Sequence, residues 1–298
     1  MRKYKLYKKS QTYVFIFILL ATSGCISTCR KDKEYCATRY PVLLVHGVAF
    51  RDETFIIRYW GNIPSFLEKN GARVFTGKQQ ACGTIKSNAL QLKARVNEIL
   101  SETGSEKVNI IAHSRGGLES RYMISMLGME SKVASLTTLA TPHLGSSMAD
   151  YIIKNIADKQ LIGVILDFYA KIIGDTNPES LNAGIELTTY KMQQFNKTVK
   201  DSGSVYYQSY ACAIDKNFSN PFWKAMYNKI AAKEGVNDGL VSVKSAKWGN
   251  FRGVVSCDGK PLVTHADIVG MHFLSGEDCF DAEKFMRDIV HELKVSGY

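Results

Sequence analysis

The stretch 108–118 constrains the fold more than any other part of the chain. An apolar, β-branched run ends in Ala-His-Ser-Arg-Gly and passes directly into residues 118–124, which contain neither proline nor glycine. This order predicts a strand, a sharp turn and a helix, with Ser114 at the turn. Ala112 and Gly116 are small enough to let the two backbones approach each other. A serine held in this way is typical of a nucleophile; the alternative is an ordinary glycine-rich turn.

Strand and helix patterns alternate on both sides of this turn. With 298 residues, 45% of them hydrophobic, and no linker rich in proline, glycine or serine, the chain is expected to bury one large core. We predict an α/β fold, a mostly parallel central sheet with helices on both faces, over residues 39–298. The predicted strands include 40–48, 72–75, 133–139, 205–211 and two short segments at 254–255 and 262–263; the predicted helices include 85–100 and 281–294.

Two backbone N–H groups are candidates for an oxyanion hole. The predicted strand that begins at Tyr40 breaks at His46-Gly47, and a glycine there presents the N–H of Val48 toward a cleft. The N–H of Arg115, at the head of the helix after Ser114, is its partner. The alternative for the first segment is a core strand with an ordinary glycine turn and a structural His46.

An acid and a base follow the serine in chain order. Asp238 lies in the tight turn Asn-Asp-Gly, and His265 follows the last predicted strand. An aspartate in such a turn can bind a histidine ring nitrogen and fix its tautomer, and Ser, Asp, His is one of the chain orders in which catalytic triads occur. His143 and His272 are rival bases, and a plain surface turn is the alternative for Asp238.

The amino terminus has the pattern of an export signal. Basic residues precede the apolar run 13–21, and Thr-Ser-Gly leads to Cys25. We expect residues 1–24 to be a signal peptide and Cys25 to carry a lipid that tethers the protein to a membrane, with 25–38 as a polar leash. Ordinary cleavage and an uncleaved anchor are the alternatives.

Charge and cysteine content exclude some classes of protein. The net charge is +10, but five positive residues precede Cys25, and the rest of the chain has 33 basic and 28 acidic residues. No basic block interleaved with aromatics stands out there, so nucleic-acid binding is not expected. Besides Cys25, six cysteines allow up to three disulfides, and none lies in a zinc-binding pattern.

The segment from about 147 to 200 interrupts the alternation of strands and helices. Within it, residues 161–173 are apolar on more than one helical face. One interpretation is a helical lid that contacts a lipid surface and uncovers the active site. The other is a helix packed permanently on the body of the protein.

Taken together, five motifs in order resemble the secreted bacterial triacylglycerol lipases and esterases of the α/β-hydrolase superfamily. The motifs are Tyr-Pro-Val-Leu-Leu-Val-His-Gly from residue 40, Lys-Val-Asn-Ile-Ile-Ala-His-Ser-Arg-Gly-Gly-Leu from 107, Thr-Leu-Ala-Thr-Pro-His-Leu-Gly-Ser from 138, Asn-Asp-Gly-Leu-Val from 237 and His-x-Asp-Ile-Val from 265. The resemblance implies Ser114 as nucleophile, His265 as base and then acid, Asp238 as its orienter, and the N–H groups of Val48 and Arg115 as the oxyanion hole. Ala112 stands where the family usually has glycine.

The resemblance also bears on substrates and ions. It implies hydrolysis of acylglycerols at a lipid interface by a monomer that needs no cofactor for chemistry, with a soluble carboxylesterase, a phospholipase or an acyltransferase as alternatives. A catalytically silent binding protein is disfavoured because every position of the triad and oxyanion hole is filled. In calcium-binding members a carboxylate two residues after the catalytic histidine joins a second one. Asp267 matches the first and Asp215 is the weaker candidate for the second, so a structural calcium ion stays open.

Overall fold

A computed structural model describes residues 34–47, 59–155, 179–271 and 279–298 of the protein. In chain order its strands are β1 (Val42–Val45), β2 (Val74–Thr76), β3 (Val108–His113), β4 (Val133–Leu139), β5 (Tyr206–Cys212) and β6 (Asn250–Val255). Its helices are α1 (Ile63–Lys69), α2 (Ile85–Thr103), α3 (Arg115–Met126), α4 (Ser147–Lys154), α5 (Glu179–Ile185), α6 (Thr189–Thr198), α7 (Pro221–Glu234), α8 (Val243–Ala246) and α9 (Ala282–Val295).

The strands form one parallel sheet in the described residues, in the order β2-β1-β3-β4-β5-β6. The chain moves outward from β1 to β2 and then returns to place β3 on the other side of β1. This reversal opens a crevice at the carboxyl ends of β1 and β3, where open α/β sheets bind their ligands. Gly47 and Ser114 follow those two strands, so both lie at this crevice.

Apolar side chains alternate along β1 between two cores. Val42 and Leu44 pack in the core that includes α1 and α9, whereas Leu43 and Val45 pack with residues of α2 and α3 on the other face. Because successive side chains of a strand point to opposite faces, this alternation requires helices on both sides of the sheet. The predicted α/β-hydrolase architecture is therefore confirmed.

The helix boundaries follow from capping residues. Thr84 accepts a hydrogen bond from the N–H of Ser87 at the start of α2, and Gly104 ends that helix with φ of 65°. Asn220 and Asp281 cap α7 and α9 in the same way as Thr84 caps α2. One detail of the predicted sheet is wrong: the segment 262–263 is not a strand, and Leu262 forms only a single antiparallel bridge to Ile214.

The insertion after β4 is described at both ends. Its start is fixed where the hydroxyl of Ser146 donates to the carbonyl oxygen of Leu240 at 2.6 Å and the N–H of Ser147 donates to Glu234 at 2.7 Å. Its return is held by the N–H of Ser146, which donates to the carbonyl oxygen of Leu187. The apolar stretch 161–173 lies outside the described residues, as do the predicted signal peptide and Cys25.

Two further features bear on the predictions from sequence. Of the cysteines in the described parts of the chain, Cys257 and Cys279 form a disulfide, while the thiols of Cys36, Cys82 and Cys212 are free and buried. A search of the described helices finds none that is long and apolar enough to cross a membrane.

Candidate active site

Ser114, His265 and Asp238 lie in one hydrogen-bonded line. The Nε2 atom of His265 is 3.0 Å from the Oγ atom of Ser114, and its Nδ1 atom is 2.8 Å from Oδ2 of Asp238. All three residues are buried, with Asp238 1% exposed and the other two 7%. The structure thus brings together residues that are 27 and 151 positions apart in the chain, in the arrangement that the sequence predicts.

The backbone holds Asp238 in place. Its Oδ1 atom accepts hydrogen bonds from the N–H groups of Leu240 and Val241, at 2.9 and 2.7 Å. Its carbonyl oxygen accepts from the N–H of His265 at 3.1 Å. Since one carboxylate oxygen is occupied by two backbone donors, the other is directed at the imidazole. An anchored carboxylate of this kind fixes the proton of His265 on Nδ1 and leaves Nε2 to accept from Ser114.

Ser114 has a backbone conformation that few residues with a side chain adopt. Its φ is +52° and its ψ is −130°, between the end of β3 and the first residue of α3. Such a conformation costs about 1–3 kcal/mol unless the surroundings determine it. Here the N–H of Ser114 donates to Leu139 at 2.8 Å, and its carbonyl oxygen accepts from the hydroxyl of Thr141 at 2.7 Å and from the N–H of Gly117 at 3.1 Å.

Two glycines let β1 approach this turn. A Cβ atom on Gly116 would lie 2.4 Å from the carbonyl oxygen of His46, and one on Gly47 would lie 2.9 Å from the Cβ of Ser114. Real Cβ atoms do not approach other atoms so closely. The glycine of the elbow therefore serves the contact between the helix and β1, which is the close approach that small residues in the motif predict.

The predicted oxyanion hole is described in part. Arg115 is the first residue of α3, so its N–H is one of the donors that a helix leaves without an intrahelical partner. The helix N-terminus beside Ser114 also favours negative charge. Val48, the other predicted donor, lies outside the described residues.

The side chain of Arg115 forms a buried network that the sequence did not indicate. Its guanidinium donates to the carbonyl oxygen of Gly83 and lies 3.4 Å from both Glu119 and Glu186. Glu119 also accepts from Asn88 at 2.8 Å. Burial raises the pKa of Glu119 to about 7, and the nearby Arg115 charge opposes this rise. The network joins α3, the helix after Ser114, to α2 and to the return of the insertion.

The rival histidines have other surroundings. His143 is buried with its Nε2 atom 3.0 Å from the hydroxyl of Thr138 and its ring stacked on Trp248, and burial and the adjacent Arg121 lower its pKa well below the ordinary value. The hydrogen bond to Ser114 comes from His265 and not from His143. His272, the other rival, lies outside the described residues.

Asp267 holds the segment that bears His265. Its Oδ2 atom accepts from the N–H and the hydroxyl of Thr264, at 2.9 and 2.7 Å. Asp215, the other carboxylate considered for calcium, accepts from the N–H of Asn217 in its own loop. Within the described ranges no three His, Cys, Asp or Glu side chains lie close enough together to hold a metal ion. Structural calcium at this place stays a prediction, and we derive no step through a metal.

Comparisons with known proteins agree with this architecture. A family model described as the alpha/beta hydrolase fold matches residues 40–228. The chain is 35% identical over 212 residues to triacylglycerol lipase 2 of Saccharomyces cerevisiae, covering 67% of this chain and 60% of that protein. It is 28% identical to a triacylglycerol lipase of Vibrio cholerae, covering 88% and 94%. The solved structure of a mature Bacillus licheniformis lipase superimposes with a TM-score of 0.62 at 23% identity, covering 79% and 88%.

These similarities differ in the length of chain that they cover and in sequence identity. The match to the yeast lipase spans less than two thirds of that protein's length, and the likeness to the Bacillus licheniformis structure, at 23% identity, concerns the fold alone. The family model covers well over half of the chain and includes β1, the elbow at Ser114 and the start of the insertion. The chain therefore belongs to the α/β-hydrolase fold family.

Proposed function

We propose that the protein hydrolyses carboxylic esters, with Ser114 as nucleophile, His265 as general base and acid, and Asp238 as the group that orients His265. The single observation that carries this proposal is the unbroken line of hydrogen bonds from Ser114 through His265 to Asp238, with distances of 3.0 and 2.8 Å. The names of the yeast and Vibrio cholerae relatives, both triacylglycerol lipases, support the same reaction class.

In this mechanism the Oγ atom of Ser114 attacks the ester carbonyl while Nε2 of His265 takes its proton. The negative charge on the carbonyl oxygen is stabilised by the N–H of Arg115 at the head of α3, with Val48 as the expected second donor. His265 then gives its proton to the departing alcohol. Water activated by His265 attacks the acyl-enzyme, which releases the acid and restores Ser114.

For the substrate we propose acylglycerols at a lipid interface. Two observations support this substrate: both relatives are triacylglycerol lipases, and the apolar sequence of 161–173 suits a lid that contacts lipid. The expected monomer would act from outside the cytoplasm, tethered through a lipid on Cys25. Intact-mass analysis of the mature protein tests that tether, and a chain that begins elsewhere without lipid contradicts it.

A soluble carboxylesterase is the second candidate, and one titration separates the two. Hydrolysis of a short acylglycerol is followed from true solution through its solubility limit into emulsion. A rate that rises sharply beyond the limit supports a lipase. Saturation below the limit without a rise supports the carboxylesterase.

The same titration with Ser114→Ala tests the nucleophile. We expect a loss of at least about three decades in rate with the fold retained. Ser120→Ala is the matched control. Ser120 is buried like Ser114, but it lies within α3 and its hydroxyl donates to the carbonyl oxygen of Gly116. Near-normal turnover by Ser114→Ala would refute the proposed mechanism.

A further inference from the structure

A buried tyrosine connects the two sides of the crevice. Tyr59 is 1% exposed and precedes α1. The N–H of Gly47, just after β1, donates to its hydroxyl oxygen at 2.9 Å. The same oxygen lies 2.5 Å from Nδ1 of His113, the residue directly before Ser114. One hydroxyl therefore joins the turn after β1 to the elbow.

The hydroxyl of Tyr59 and Nδ1 of His113 share one hydrogen bond, in which the tautomer of His113 decides the donor. The oxygen of Tyr59 accepts from the N–H of Gly47 and lies within hydrogen-bond distance of Nδ1 of His113. Burial, and next the charge of His265, lower the pKa of His113 well below its ordinary value, so its ring is neutral. When the single ring proton lies on Nε2, the hydroxyl of Tyr59 donates to Nδ1.

The neutral ring of His113 lies directly against the proposed general base. The ring centroids of His113 and His265 are 4.6 Å apart, with the planes inclined by 44°. During the proposed reaction His265 becomes an imidazolium, and a second cation at this distance would oppose that step. Among the described residues, His46 also acts on the charge of His113, and Asp238 contacts Nδ1 on the far side of His265.

We propose that Tyr59 and His113 are positioning residues for ester hydrolysis, with the hydroxyl of Tyr59 donating to Nδ1 of His113. This hydrogen bond holds His113 as a neutral ring packed against His265, and the same hydroxyl holds Gly47 beside Ser114. This inference rests on the proposed function. Neither residue touches the ester; both act through His265 and through the turn after β1. A Cβ atom on Gly47 would lie 2.9 Å from the hydroxyl oxygen of Tyr59 and 2.9 Å from the Cβ of Ser114, so Tyr59 and Ser114 both pack closely against this turn.

The test is Tyr59→Phe, with Tyr207→Phe as the matched control. The hydroxyl of Tyr207 also accepts a backbone N–H, that of Ser202 at 3.2 Å. Tyr207 is the second residue of β5, at the amino-terminal end of the strand and so away from the crevice. We expect kcat of Tyr59→Phe on a soluble p-nitrophenyl ester to fall about tenfold or more with KM nearly unchanged, because the substitution removes the hydroxyl that the buried N–H of Gly47 and Nδ1 of His113 contact. The control should stay within about twofold of wild type.

A pH profile separates positioning from simple packing. Without the Tyr59 hydroxyl, His113 accepts a proton more readily and opposes protonation of His265, so the acid limb of kcat/KM should move to lower pH by about half a unit or more. The double variant Tyr59→Phe/His113→Asn has no second imidazole and should lack this shift. An equal shift in the double variant, or kcat of Tyr59→Phe within about twofold of the control, would overturn the proposal.

One measurement separates the positioning role of Tyr59 from ester hydrolysis by Ser114. Burst titration with an organophosphonate that labels Ser114 counts competent sites in every variant. If wild type does not react, the proposed function fails. If wild type and Tyr59→Phe both react fully and turn over equally, only the positioning role fails. If Tyr59→Phe does not fold, His113→Asn alone carries the test, and undiminished kcat there would contradict the role of the ring.

Discussion

Replacing Asp238 by asparagine tests how firmly the backbone determines the tautomer of His265. In the wild type, Oδ1 of Asp238 accepts the N–H groups of Leu240 and Val241, and Oδ2 accepts from Nδ1 of His265. In the Asp238→Asn variant the amide oxygen must take the place of Oδ1, since an NH₂ group there would face two backbone donors. The NH₂ group then points at Nδ1 of His265 and donates to it. The proton of His265 is forced onto Nε2, which then cannot accept a proton from Ser114.

The magnitude follows from the same contacts. An amide with its NH₂ group toward Leu240 and Val241 would leave two buried N–H groups unsatisfied, at a cost of about 1–3 kcal/mol each. Nearly all molecules therefore have the amide oxygen there and the NH₂ group toward His265, which is the unproductive orientation. We expect kcat to fall by about 10³–10⁴-fold with little change in thermal stability. The assay is ester hydrolysis normalised by burst titration. Asp215→Asn is the control, because Asp215 receives a backbone N–H in a loop of its own. Activity of Asp238→Asn within about tenfold of wild type would refute the reasoning.

Three further predictions concern stability. Gly116→Ala should lower the free energy of unfolding by about 1–3 kcal/mol or more, because its Cβ would meet the carbonyl oxygens of Val45 and His46. Gly184→Ala, whose Cβ would meet no described atom within 4 Å, should be neutral or stabilising; urea denaturation measures both. The pKa of Glu119 is raised from 4.5 to about 7, so the folded state binds this proton more tightly than the unfolded state does. The free energy of unfolding of wild type should therefore fall by about 3 kcal/mol relative to that of Glu119→Gln as the pH rises from 4.5 to 7. A difference between the two proteins that does not change with pH would contradict this. The disulfide between Cys257 and Cys279 spans 22 positions of the chain, and this loop contains His265. Replacing both cysteines by serine should lower the free energy of unfolding by about 3 kcal/mol, because the unfolded chain is then no longer constrained. An unchanged Tm in thermal unfolding would contradict this.

The fold and the line of three residues were accessible from sequence because they depend on local patterns. Apolar runs followed by turn residues identify strand ends, and the carboxyl ends of parallel strands meet at one edge of a sheet. Ser114, Asp238 and His265 each follow such a strand or lie in a turn at that edge. Their chain order, together with the small residues around Ser114, therefore suffices to predict that they meet.

The side-chain contacts that surround Ser114, His265 and Asp238 could not be predicted in the same way. Tyr59 and the guanidinium of Arg115 reach partners 54 and 71 positions away, His113 and Glu186. Nothing in the spacing of a tyrosine near an amphipathic helix, or of an arginine after a serine, distinguishes such a role from packing or solvent exposure. Periodicity reports which face of an element is buried, but not which polar group lies opposite it.

The conformation of Ser114 explains why these unpredicted contacts matter for function. A residue with φ of +52° has a local preference against its own geometry, so the surroundings must supply at least the roughly 1–3 kcal/mol that this conformation costs. The hydrogen bonds of Ser114 to Leu139 and Thr141 hold it from the sheet side. The two chain neighbours of Ser114 also have buried polar partners: Glu119 contacts Arg115, and Tyr59 contacts His113. Because both flanking residues are held in this way, the strained conformation of Ser114 is fixed. Removing either partner should reduce catalysis before it unfolds the protein.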